Sequence, residues 1–152
     1  MQNLELAKKT LVERGLTLAV ACDGEVIFES ELHGVSGFLD AVKGLGGRLR
    51  RASVADRVVG KAVALLCVFA GVKDVYAVTL GITAKKVFDE NGIGYEYEHL
   101  VDSILNADRS RACVFERVVT DVSDAEEAFV RLKRLRDELA EGLPNNAKPI
   151  KS

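Results

Sequence analysis

The chain has 152 residues, 48% apolar and 29% charged, with a formal net charge of −2. That length suits one domain with a real hydrophobic core, and the slight acidity gives no electrostatic support for a nucleic-acid or acidic-membrane partner. The cysteines, Cys22, Cys67 and Cys113, are far apart and form no C-x-x-C, so neither a disulfide framework nor a thiolate zinc site is indicated, and a reducing cytoplasm is the expected location.

Residues 4–14 carry Leu4, Ala7 and Leu11 at helical spacing, with Gly15 as a stop; no signal-peptide apolar region precedes them. Residues 16–22 and 25–30 read as strands. Asp23-Gly24 joins them as a hairpin, because both central turn positions require positive φ. Residues 34–47 hold five glycines and a short helix around Phe38, Leu39 and Val42. Residues 52–71 read as one central helix. Ser53 is its N-cap, Ser53-x-x-Asp56 has the shape of a capping box, and Gly71 ends it. Its second half, nine apolar residues from 62 to 70, predicts burial on nearly all sides, and falls short of the about 20 residues a membrane span needs.

Residues 75–80 form a continuous apolar strand, suited to burial on both faces. Residues 83–90 form a helix closed by Asn91-Gly92, and residues 95–99 alternate as a strand. This β-α-β-α-β order predicts helices covering a partly parallel sheet. A polar stretch, 101–111, reads as a short helix plus loop, and residues 113–119 as a peripheral strand. Ser123-x-x-Glu126 opens a last helix, about 123–141, whose apolar line is Ala128, Phe129, Leu132, Leu135 and Leu139. One domain over 1–143 and a disordered tail over 144–152 are expected.

Charges at the start of a buried helix suit a polar site on a rigid base. Asp56 is either a general base or substrate anchor, or a first-turn acid favouring the helix dipole. Lys61, next to the apolar run, is either desolvated and suited to Schiff-base or proton-transfer chemistry, or a lysine snorkelling at the core edge. Arg57, four residues before Lys61, shares its face on a helix. Gly60 weakens a helix, which points to close approach by a backbone or ligand. Cys113 follows Arg109 and Arg111, whose charge favours a reactive thiolate; an inert strand-edge cysteine fits equally well. Cys67 belongs to the core. His33 and His99 have no metal-ligand spacing with cysteines or acids. Arg48, Arg50, Arg51 and Arg57 form a basic run, either a phosphate site or a solvated surface.

Residues 52–66 (A-S-V-A-D-R-V-V-G-K-A-V-A-L-L), with Gly71-Val72-Lys73-Asp74-Val75-Tyr76 and Asn91-Gly92-Ile93, resemble the domain of unknown function 1893 family, within the cytidine deaminase-like superfamily. The resemblance spans roughly residues 16–116 and leaves the last helix as an addition. It implies a three-layer α/β/α domain with a mixed sheet. In zinc deaminases the corresponding helix begins H-x-E or C-x-E and the next begins P-C-x-x-C, together holding zinc and shuttling protons. Here those positions fall on Asp56 and Val58, and on Gly81-Ile82-Thr83-Ala84, so the resemblance implies a deaminase-like fold without that zinc site. The family's marked positions fall on Asp56, Lys61 and Cys113. Its C-P-x-E segment stands here as Cys113-Val114-Phe115-Glu116, without the proline.

The resulting expectation is a small-molecule pocket, nucleotide-like by fold analogy, at the start of the central helix. Asp56, Lys61 and Cys113 are its catalytic candidates, Ser53, Arg57, Gly60 and Glu116 its ligand-binding ones, and no metal or other cofactor is called for. Enzymatic action stays open; if present, it gives Cys113 the nucleophile role and Asp56 or Lys61 the proton transfer. The alternative is a catalytically inactive interaction module that forms homo-oligomers, through a last helix whose apolar line equally suits docking on its own sheet.

Overall fold

The computed structural model describes residues 2–32, 35–104 and 113–141. Helix α1 (Gln2–Glu13) leads into the hairpin β1 (Leu18–Cys22) and β2 (Glu25–Ser30). The Asp23-Gly24 turn forms as expected, at φ 54° and 79°. Helix α2 (Val35–Leu45) and a 3₁₀ turn (Gly46–Leu49) follow.

The central stretch differs from the sequence reading. Ser53–Val59 is a strand, β3, and the helix α3 starts only at Lys61 (Lys61–Ala70). Gly60 separates them with an extended backbone, φ −105° and ψ −170°. Ser53 therefore caps nothing; its hydroxyl donates to the Asp74 carboxylate. The reason is tertiary. β3 is the middle strand of the sheet and is paired on both edges: Asp56 stands opposite Leu18 of β1 and opposite Ala77 of β4 (Asp74–Gly81). Val54, Val58 and Val59 suit that pleated position, and six consecutive buried residues, Ala62 to Cys67, follow as the first turns of α3. Gly71 ends α3 at φ 77°, where its N–H and that of Val72 both reach the Cys67 carbonyl.

Helix α4 (Ile82–Asn91) and strand β5 (Gly94–Val101) complete two β-α-β units. The sheet order is β2-β1-β3-β4-β5, with β1 antiparallel to both neighbours and β3, β4 and β5 parallel. This is the expected mixed-sheet α/β architecture. One sheet face presents Ala19, Ala21 and Ala55, small enough for α1 to settle on them through Leu4, Ala7 and Leu11. The other presents Val20, Val54, Val75 and Ala77 to residues of α2, α3 and α4.

Two further elements differ from expectation. Residues 113–119 are no strand: Val114–Val118 is a short helix, α5, whose Arg117 N–H reaches the Cys113 carbonyl. Of the polar stretch 101–111, Val101 ends β5, and residues 105–111 lie outside the described residues, as do His33 and the tail 144–152. The last helix, α6 (Ala125–Ala140), begins one residue later than the Ser123 box predicts, because Asp124 caps it by accepting from the Glu127 N–H at 2.8 Å. Ala128 and Leu132 bury α6 in the core, Phe129 stacks on Phe69 with centroids 4.4 Å apart, and Arg136 pairs with Asp40 at 2.8 Å. Ala128, Phe129 and Leu132 of its apolar line therefore pack on its own chain, whereas Leu139 is 46% exposed. No helix among the described residues is long and apolar enough to cross a membrane.

Candidate functional site

Parallel strands deliver the next helix start at their carboxyl ends, and crevices there are the usual ligand sites of open α/β sheets. β3 ends at Gly60-Lys61, β4 at Gly81-Ile82, and β5 runs into Asp102, Ser103 and Ile104. These ends, with α5, enclose a cleft of about 190 Å³ lined by Lys61, Thr83, Asp102, Ser103, Ile104, Glu116 and Thr120. A second hollow of about 240 Å³ lies on the far side of Lys61 and Thr83, against Lys86, Val87 and Ser123.

Glu116 organises one wall. Its carboxylate accepts the Lys61 and Ala62 N–H groups, both at 2.9 Å, two donors that the start of a helix leaves without intrahelical partners. This explains Gly60: a Cβ there would sit 2.6 Å from the carboxylate. The glycine is required by close approach, but the approaching group is the Glu116 side chain of α5 and not the backbone or ligand that the sequence suggests. Burial pushes the Glu116 carboxyl above its ordinary range, against the opposing pull of the two amides and the Lys61 charge. The Lys61 side chain is half-buried and its Nζ donates to the Thr120 carbonyl at 3.1 Å. Thus a carboxylate does stand at the start of the central helix, but it does not come from that helix's own sequence.

The other sequence candidates fall in different places. Asp56 lies in β3, 7% exposed, and does not line the cleft. Its carboxylate accepts from the Val58 N–H at 3.4 Å, with the Arg57 backbone N–H also favouring its charged form, and it has no ion pair among the described residues. Burial pushes its carboxyl up to about 8, and its proximity helps push the buried Cys67 thiol up as well. Arg57 does not share a helix face with Lys61. Its guanidinium donates to the Leu16 and Leu11 carbonyls at 2.8 and 3.3 Å, tying α1 to β3 in the opposite layer. Ser53 is at the amino end of β3, away from the cleft's end of the strand. Cys113 is half-buried, precedes α5 and donates its backbone N–H to the Ile104 carbonyl at 3.0 Å. The structure therefore brings together Gly60, Lys61 and Glu116, with Cys113 three residues behind Glu116.

Thr83, Asp102, Ser103 and Thr120 were not singled out by sequence. Thr83 had a usable signal, since it follows a strand end and opens a helix. The α4 start, like that of α3, has a glycine, Gly81, as its N-cap and no side-chain cap bond. Among the described residues, no group of His, Cys, Asp and Glu side chains is arranged to hold a metal ion.

The family model described as Domain of unknown function (DUF1893) matches residues 6–135, which takes in most of α1 and much of α6 and so reaches beyond the 16–116 span of the sequence resemblance. A crystal structure of a DUF1893 family protein from Thermotoga maritima is similar over 91% of this chain and 89% of that one, at 27% identity and a TM-score of 0.78. RibD from Acinetobacter baumannii is similar at 18% identity and a TM-score of 0.43, over 64% of this chain and 35% of that one. A diaminohydroxyphosphoribosylaminopyrimidine deaminase/5-amino-6-(5-phosphoribosylamino)uracil reductase from Thermotoga maritima is similar at 19% identity and a TM-score of 0.44, over 77% and 40% of the two chains. No curated protein sequence matches the chain.

Proposed function

The chain belongs to the domain of unknown function 1893 family, and from that premise we propose that it binds a small molecule in the cleft at the carboxyl ends of β3, β4 and β5. The observation that carries this reading is the convergence of Lys61, Thr83, Asp102, Ser103 and Thr120 on about 190 Å³ of space at that end of the sheet. The Lys61 ammonium offers a donor to an acidic or carbonyl oxygen of the ligand, and the Asp102 carboxylate an acceptor for a ligand donor. The Ser103, Thr83 and Thr120 hydroxyls offer both donors and acceptors for its remaining polar atoms. Glu116 already fills the α3 start, so it shapes the wall and positions Lys61 more than it competes for the ligand.

An enzymatic version of this reading has Lys61 as the proton-transfer group and Cys113, which precedes α5 and is not among the cleft-lining residues, as a nucleophile that a ligand would have to reach from the cleft, with Asp56 in the core of β3. Native and denaturing mass spectrometry of the purified chain, alone and with millimolar ribonucleoside monophosphates added, tests both versions. Binding predicts a bound mass that is lost on denaturation and is absent from Thr83→Arg, an exposed position where a long side chain blocks the cleft without entering the core. A mass retained on denaturation and mapped to Cys113 supports the covalent version. A folded Thr83→Arg protein that holds the same mass as the wild type overturns the assignment to this cleft.

A further inference from the structure

Helix α6 docks on its own core through Ala128 and Leu132. Its outer surface is an open groove of about 460 Å³ lined by Phe129, Val130, Lys133, Arg134, Asp137 and Glu138, with Glu141 at its end. Val130, Arg134, Asp137 and Glu141 follow one another at spacings of four, three and four, so they form a single stripe along the helix. The order of charge along that stripe is asymmetric: bases come first, acids last. Two such stripes laid antiparallel about a two-fold axis level with Leu135 and Arg136 match each other. Arg134 then meets Asp137 of the second copy, Lys133 meets Glu138, and Val130, 47% exposed, lies against the methylene stem of Glu141. Each match occurs twice, as an isologous interface requires.

We infer that this face of α6 is an interface between two copies of the chain, paired antiparallel. Charge complementarity selects the occupant: a parallel pairing would set like charges against each other at every level. Within one chain, Lys133 already reaches Asp137 at 3.1 Å, an exposed pair of the kind worth only a few tenths of a kcal/mol, so it does not bar the exchange. Arg134, Glu138 and Glu141 take part in no ion pair among the described residues. A helix pair lies at the small end of stable interfaces, so the dimer is a weak one that forms at high-micromolar concentration and loosens with salt. The inference does not depend on the ligand reading.

Sedimentation equilibrium on the full chain tests it through a charge exchange. Arg134→Asp alone and Asp137→Arg alone each place like charges opposite each other twice, and each is expected to weaken dimerisation about tenfold or more. An equimolar mixture of these two variants restores opposite charges at both contacts and is expected to form a heterodimer, as the double exchange R134D/D137R is expected to form a homodimer. Restoration on mixing shows that the single variants are folded. A monomeric wild type, or single variants that dimerise as the wild type does, overturns the proposal.

Discussion

Helices α3 and α4 start alike and end up unlike. Both have ten residues, both follow a parallel strand, and both take a glycine as N-cap with no capping side chain of their own. At α3 a carboxylate from 55 residues along the chain, Glu116, satisfies the Lys61 N–H, and the neighbouring amide of Ala62 is satisfied with it. At α4 the N-cap is again a glycine with no side-chain cap bond, no side chain among the described residues is seen to reach its first amides, and Thr83 of its first turn lines the cleft. The difference teaches that a glycine before a helix can mean two things. Gly60 makes room for a part of the protein itself, whereas Gly81 meets nothing closer than 3.7 Å.

The comparison breaks most visibly if Glu116 is evicted. Gly60→Ala drives a Cβ into the carboxylate and is expected to cost about 2–3 kcal/mol in thermal or urea unfolding, by loss of both amide contacts plus local strain. Glu116→Ala leaves the same two amides unpaired and is expected to cost about 2 kcal/mol. Combined, the two should cost little more than either alone, because the side chain with which the new Cβ collides is gone. A double-mutant cycle that finds them additive would refute the contact as the reason for the glycine.

The next effect contrasts Glu116 with the other buried carboxyl. At Asp56 burial outweighs the Val58 and Arg57 amides and pushes the carboxyl from the ordinary 3.8 up to about 8 in the folded chain. Between those values the unfolded state holds fewer protons, so stability falls as pH rises, by at most about 1.4 kcal/mol per pH unit, and levels off above about 8. Asp56→Asn should flatten that slope and leave the protein about 1–2 kcal/mol more stable than the wild type at pH 7. Denaturant melts across pH 5 to 9 read this directly, and parallel curves for the two proteins would mean that Asp56 folds in charged.

The smallest effect is the sharpest contrast with Gly60. Gly81→Ala has room for its Cβ and an ordinary backbone, φ −80°, so its unfolding free energy should stay within about 0.5 kcal/mol of the wild type.

Much of the fold was legible because its signals are local. The Asp23-Gly24 turn, the Gly71 stop, the apolar β4 and the Asn91-Gly92 stop each carry their reason within a few residues. Residues 53–59 were misread because their polar members look like a capped first turn. Their true partners are remote: Asp74 for Ser53, the Leu11 and Leu16 carbonyls for Arg57, and β1 and β4 on either edge. Tertiary pairing overrode local propensity there. The site divides in the same way. Gly60, Lys61 and Glu116 each stand out singly, but the contact that unites them spans 55 residues of sequence. Thr83, Asp102, Ser103 and Thr120 are ordinary polar residues until the strand ends bring them to one place.

The alanines beneath α1 have a consequence for how this chain can change over generations. The cluster of Leu4, Ala7, Leu11, Leu16, Ala19, Ala21, Ala55 and Tyr76 shares no residue with the larger cluster that supports α3 and α4. Substitutions on the two sides are therefore expected to combine additively, with the sheet acting as a partition between them. Sequence drift can accumulate behind that partition, reshaping the outer layer, while the walls of the cleft keep their form.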